Sequence, residues 1–233
     1  MNTNNQLVEV VIVTYSLDLQ RCIDLIRSIR QQGFINKNIQ INIVVNDTPD
    51  VYNRFMHSIQ DIENIKTFIG SEFDAQPTRG WRSQQWVKLA IAKIIKTPWY
   101  VIVDSDQKMW PDQPVGLTDW YQDFRAYYKP VSLTELTTRN PVFAEYYTNS
   151  AKFWNINIDK YVDNLLSETP PVIMHTESVQ AMLSYCDKSL ILKNLVHEFG
   201  LYWTYLIKQD LVNKLYCPIL NISKKHQLIH ERV

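Results

Sequence analysis

The first hundred residues alternate between short apolar runs and segments whose apolar positions recur every three or four residues. Residues 8–14, VEVVIVT, form a nearly continuous β-branched run, the pattern of a strand buried on both faces. Over residues 17–30, Leu17, Ile23, Leu25, Ile26 and Ile29 fall at roughly helical spacing, and the segment stops before Gly33, a residue suited to a helix end. Residues 39–45 predict a second strand, 50–59 a short helix and 65–69 a third strand. After a polar loop at 70–80, the pattern predicts a helix over 81–96 and a strand over 99–103, WYVIV. Such alternation predicts an α/β fold with a mostly parallel, doubly wound sheet flanked by helices.

The second half reads differently. It is rich in aromatic residues, carries Pro-bearing loops at 111–114, 130, 141 and 170–171, and shows helical patterns near 118–128, 176–186 and 196–210. There is no internal repeat, low-complexity tract or convincing linker. We therefore expect one domain over 1–233, with a ligand-binding half at about 1–112 and a more helical, aromatic-rich half at about 113–233.

Composition narrows the function classes. Apolar residues make up 45% and charged residues 21%, which is ordinary globular usage and excludes a disordered or fibrous chain. The 24 basic and 24 acidic residues cancel, so the chain shows no net basic character and no nucleic-acid partner is expected. Cys22, Cys186 and Cys217 are odd in number and widely spaced, fitting neither a disulfide framework nor a zinc pattern. No stretch is long and apolar enough to span a bilayer, and the polar start of the chain does not read as a signal peptide. The expectation is a cytoplasmic protein whose membrane contact is at most peripheral.

In a doubly wound sheet, ligands bind beyond the carboxyl ends of the strands. Here those ends carry Thr14-Tyr15-Ser16, Asn46-Asp47-Thr48 and Asp104-Ser105-Asp106. The last set is the most informative, because a buried strand delivers two carboxylates to the ligand edge, where they can hold a hard divalent cation, Mg2+ or Mn2+, against a diphosphate. Turns and helix caps also produce Asp-x-Asp, so the preceding strand matters. On the helix before it, Trp81, Gln84, Gln85 and Lys88 share a face. That helix starts at the same edge, so Arg82 and Lys88 could face an anion there, helped by the helix amino-terminus. A solvated first turn with Lys88 snorkelling is the alternative.

The segment Gly80-Trp81-Arg82-Ser83-Gln84-Gln85-Trp86-Val87-Lys88-Leu89, followed by Tyr100-Val101-Ile102-Val103-Asp104-Ser105-Asp106, resembles a family of bacterial and viral glycosyltransferase-like proteins with a GT-A fold. Pro171-Val172-Ile173-Met174-His175 and Glu198-Phe199-Gly200-Leu201-Tyr202 resemble it as well. The resemblance implies a metal-dependent enzyme taking a nucleotide-diphosphate sugar donor and a glycan or lipid-linked glycan acceptor. Asp104 and Asp106 would hold the metal and diphosphate, with Ser105 between them at the donor. Thr14, Tyr15 and Asp47 would border the nucleoside, and Arg82, Gln85 and Lys88 the donor sugar or its phosphates. Glu198 would be the general base of an inverting transfer, with His175 and Tyr202 at the acceptor. A His near the chain end, His226 or His230, would complete the metal shell.

Trp110, Trp120, Phe143, Tyr146, Tyr147, Phe153 and Trp154 are candidate acceptor platforms, with core packing as the alternative for each. The turn after the first strand is not Gly-rich, which disfavours a dinucleotide-binding enzyme, and neither a P-loop nor a nucleophile elbow occurs. A sugar-phosphate nucleotidyltransferase and a non-catalytic sugar- or nucleotide-binding module remain open alternatives on the same fold.

Overall fold

The computed structural model describes residues 8–31, 39–76, 80–107, 121–122, 125–167, 170–193 and 195–218. Its central sheet joins β1 (Val8–Thr14), β2 (Ile41–Val45), β3 (Ile65–Ile69), β4 (Trp99–Asp104) and a later strand, Val172–His175, in the order β3-β2-β1-β4 and then that strand. The first four run parallel, and the last is antiparallel to β4. All seven residues of β1 and all five of β2 are buried, as their β-branched runs predict for strands covered on both faces.

Helices α1 (Leu19–Gln31), α2 (Pro49–Ser58) and α3 (Trp81–Ala90) connect these strands. In α1, Cys22, Leu25, Ile26 and Ile29 are all buried at spacings of three or four residues. Each such side chain contributes roughly 1.5–3 kcal/mol of transfer free energy, so this stripe seats the helix. The expected helix over 81–96 is shorter: α3 stops at Ala90 and a 3-10 turn at Ile91–Lys93 carries the chain to β4.

Strand order reverses between β1 and β4. From β1 the chain builds outward through β2 and β3, then α3 returns it to the other side of β1. A crevice opens at such a reversal beyond the carboxyl ends of the strands, here formed by the residues after Thr14 and after Asp104.

The second half corrects the sequence reading in two places. Within the helix expected at 118–128, the described residues form strands instead: β5 (Tyr121–Gln122) and β6 (Arg125–Tyr128) make an antiparallel pair. Tyrosines favour a pleated surface, and the helical spacing there was coincidental. Pro130 and Pro141, each read as a loop position, instead lie in β7 (Pro130–Val131) and at the start of α5 (Pro141–Trp154), with α4 (Leu133–Arg139) between them. Pro141 lies at the first helical position, where its missing N–H costs nothing, and Asn155 caps the far end in the left-handed conformation at φ 55°. The remaining elements are β8 (Leu165–Leu166), β9 (Val172–His175), α6 (Thr176–Leu183), α7 (Lys188–Leu192), α8 (Glu198–Lys208), α9 (Val212–Leu215) and β10 (Tyr216–Pro218). Strand β8 pairs with β7, and β10 lies parallel to β6. Among the described residues, no helix is long and apolar enough to cross a membrane.

Candidate active site

Register brings the polar strand ends to one edge. Val13 of β1 lies opposite Asp104 of β4, and Thr14 lies opposite Val45 of β2. The residues following these, Tyr15, Asn46 and Asp47, therefore share an edge with Asp104, Ser105 and Asp106. The backbone amide of Ser16 donates to Asp47 Oδ2 at 2.9 Å and that of Thr48 donates to Oδ1 at 2.8 Å. Burial raises the Asp47 carboxyl, but those amides outweigh it and hold the group below its ordinary value. Burial and the carboxylates of Asp18 and Asp106 push the Tyr15 phenol up. Thr14 is fully buried beside Cys22, behind the edge.

Asn46 fastens the edge from below. Its amide N–H donates to the Thr14 carbonyl at 2.8 Å, and its Oδ1 accepts from Ser83 Oγ of α3 at 3.4 Å. A Cβ on Gly70 would meet Asn46 Oδ1 at 2.6 Å, so only glycine lets the chain after β3 pass this close. Gly80, which precedes α3, has φ 52° and ψ −130°, a conformation costly for any residue with a Cβ. These contacts set the start of α3 against the ends of β1 and β2.

On the face of α3 predicted from the sequence, Trp81 is exposed and Gln84 partly so, but Gln85 and Lys88 are buried rather than solvated. Lys88 is 6% exposed and Gln85 2%. Lys88 Nζ lies 2.8 Å from Asp104 Oδ1 and 3.3 Å from Glu198 Oε1, the first residue of α8. Burial alone would lower the Lys88 ammonium, yet the two carboxylates more than offset it and raise the group above its ordinary value. Snorkelling is thereby excluded for Lys88. Arg82 turns elsewhere, donating to the Leu192 carbonyl at the end of α7 at 3.5 Å.

Glu198, the expected base, has no exposed surface. Besides Lys88 it meets His197, whose Nε2 lies 2.9 Å from Glu198 Oε2. Burial pushes the Glu198 carboxyl up, but His197 and Lys88 outweigh that and hold it at about 2. His197 caps α8: its Nδ1 accepts from the Phe199 amide at 3.3 Å. The imidazole is enclosed by Phe143 at 4.5 Å, Phe199 at 5.2 Å, Trp81 at 5.8 Å and Tyr146 at 6.1 Å between ring centroids. Sequence reasoning found no argument for His197. The available signal was a His-Glu pair at a helix start, with the His as a side-chain cap.

His175 and Tyr202 lie away from this cluster. Because β9 is antiparallel to β4, His175 pairs with Trp99, whereas Asp104 ends the same strand at the opposite edge. Tyr202 is fully buried; its hydroxyl accepts from the His175 amide at 2.9 Å and meets the Tyr216 hydroxyl at 2.8 Å. Of the candidate platforms, Tyr146, Tyr147 and Trp154 are buried core, Phe143 belongs to the His197 enclosure, and Phe153 is 40% exposed on α5. Trp110, Trp120, His226 and His230 lie outside the described residues.

Among the described residues, no three His, Cys, Asp or Glu side chains gather as a ready metal cage. Two carboxylates are available, on Asp106, which is exposed, and Asp104, whose side chain is 32% exposed. Lys88 takes Oδ1 of Asp104, leaving the second oxygen for a cation. That set suits Mg2+ or Mn2+, which keep several waters and use one or two carboxylates plus phosphate oxygens.

Residues 7–232 match the model of DUF6492, a family described as being of unknown function. No curated protein matches. Among solved structures, the galactosyltransferase LgtC in complex with donor and acceptor sugar analogs is 10% identical at a TM-score of 0.51, over 90% of this chain and 72% of that one. Mouse xyloside xylosyltransferase 1 is 10% identical at 0.49, over 91% of this chain and 84% of that one. WbbM, described as a bifunctional glycosyltransferase, is 16% identical at 0.48; the match covers 89% of this chain but only 38% of WbbM. At these identities the likeness is one of fold, and the fold is the expected mixed α/β one, with a mostly parallel sheet of the GT-A type.

Proposed function

We propose that this chain, which belongs to the DUF6492 family, transfers a sugar from a nucleoside-diphosphate donor to a hydroxyl of a glycan or glycolipid acceptor. The observation that carries this reading is the convergence of Tyr15, Asp47, Asp104 and Asp106 at the crevice where strand order reverses. The shared fold with LgtC, a galactosyltransferase solved with donor and acceptor sugar analogs, supports the same reaction class.

In this reading Tyr15 and Asp47 border the nucleoside, and Asp104 with Asp106 would hold Mg2+ or Mn2+, which when bound would supply positive charge to offset that of a departing nucleoside diphosphate. Lys88 keeps the Asp104 carboxylate fixed toward the crevice through its 2.8 Å contact, so little reorganisation is needed when donor binds. Glu198 does not take the acceptor proton: a fully buried carboxylate held at about 2 has neither the access nor the basicity. With no base assigned, the reading is glycosyl transfer without a stereochemical outcome.

The test is a thermal-shift screen of UDP-, GDP-, CDP- and dTDP-sugars with and without Mn2+, followed by a donor-hydrolysis assay. A ligand that binds only the native state raises its apparent stability. One nucleotide class should stabilise the protein and be hydrolysed slowly, and Asp106→Ala should abolish both effects. If no nucleotide stabilises the protein and Asp106→Ala changes nothing, the reading fails; binding without any turnover would favour a binding module.

A further inference from the structure

Three charged side chains, Asp104, Lys88 and Glu198, form an unbroken line from the crevice into the interior, and only Asp104 reaches solvent. A lone Lys88–Asp104 pair would be neutral, and Asp104 would then attract a cation poorly. Glu198 changes this. With its Oε1 3.3 Å from Nζ, it shares the ammonium, so the trio carries one net negative charge.

His197 sets the position of that carboxylate. Its Nδ1 accepts from the Phe199 amide at 3.3 Å, and its Nε2 stands 2.9 Å from Glu198 Oε2. Enclosure by Trp81, Phe143, Tyr146 and Phe199 fixes the ring in that orientation. Resting on the reading of Asp104 as a cation and diphosphate anchor, we propose that Glu198, oriented by His197, is a positioning residue that sets the negative charge of the crevice without touching any ligand. The buried carboxylate draws on Lys88 so that Asp104 presents charge to a divalent cation.

The experiment is titration of Mn2+ into the purified full chain, with free Mn2+ followed by electron paramagnetic resonance. Glu198→Gln keeps the side chain's size and removes its charge, leaving Lys88 to neutralise Asp104. Mn2+ affinity should fall on the order of 10- to 100-fold, the usual effect of changing a partner of a metal ligand. The double variant Lys88→Met/Glu198→Gln removes both interior charges and leaves Asp104 unneutralised, so affinity should return toward that of the unaltered chain. A purely structural role would not give this rescue, because the double variant is further from the native packing. His197→Phe should weaken Mn2+ binding, and His197→Gln, which retains an N–H toward Glu198, should weaken it less. Unchanged Mn2+ affinity in Glu198→Gln, with affinity still lost in Asp104→Asn, overturns this proposal and leaves the reading of the crevice standing. Mn2+ binding that is absent, or indifferent to Asp104→Asn, overturns both.

Discussion

The ammonium of Lys88 lies 3.3 Å from the carboxylate of Glu198, and neither group has meaningful access to water. Two residues far apart in the chain thus meet as a buried ion pair that ties α3 to α8. Such a pair adds little net stability, because desolvating both charges offsets most of their attraction, but removing one partner strands the other.

Lys88→Met should therefore destabilise the fold by about 3–5 kcal/mol, the usual cost of leaving a buried charge unpaired. Adding Glu198→Gln should recover a substantial part of that loss. Urea denaturation of the single and double variants measures the coupling directly. Equal stability of Lys88→Met and the unaltered chain would mean that the contact is not formed in solution.

Acid should expose the same pair. The folded Glu198 carboxyl is held at about 2, below its ordinary value of 4.5, so it contributes stability that is fully present above about pH 4.5. That stability is lost as pH falls from 4.5 through about 2. Unfolding free energies measured between neutral pH and pH 3 should decline less steeply in Glu198→Gln than in the unaltered chain. An identical slope would show that Glu198 is not held ionised by His197 and Lys88.

Asp106 makes the opposite kind of prediction. It is exposed at the crevice, so Asp106→Ala should alter stability by no more than about 0.5 kcal/mol. Stabilisation by nucleotide with Mn2+ should nevertheless disappear. Thermal unfolding with and without ligand separates the two effects, and a large loss of stability without ligand would recast Asp106 as structural.

The contrast between Asp106 and Lys88 marks how far the sequence could be read. Strands β1 to β4 were legible because runs such as VEVVIVT have no amphipathic alternation, and the polar residues at their ends had to collect at one edge. The face of α3 bearing Gln85 and Lys88 was legible from helical spacing. Its burial was not, since nothing local to Lys88 reveals that α8 will lay Glu198 against it. His197 escaped notice for the same reason: its role depends on Trp81 and Phe143, which arrive from other helices. Helices α4 and α5 were hidden by Pro130 and Pro141, which read as loop signals, although Pro141 in fact opens a helix. The direction of β9 was equally hidden, and it decides which edge His175 occupies.

That direction can be tested through Tyr202. As an acceptor-binding residue, its hydroxyl would contact substrate; in the structure it accepts from the His175 amide and meets the Tyr216 hydroxyl, which in turn donates to the Ile173 carbonyl. Tyr202→Phe removes the acceptor for a buried amide, a loss worth about 1–3 kcal/mol. The expected variant is less stable to urea by that amount, with nucleotide and Mn2+ affinities unchanged and the acceptor KM unmoved. A raised KM at unaltered stability would instead return Tyr202 to the acceptor site and would require β9 and α8 to be arranged otherwise. Because His175 and Asp104 sit at opposite ends of β4, a single hydroxyl deletion reports on the polarity of the whole site.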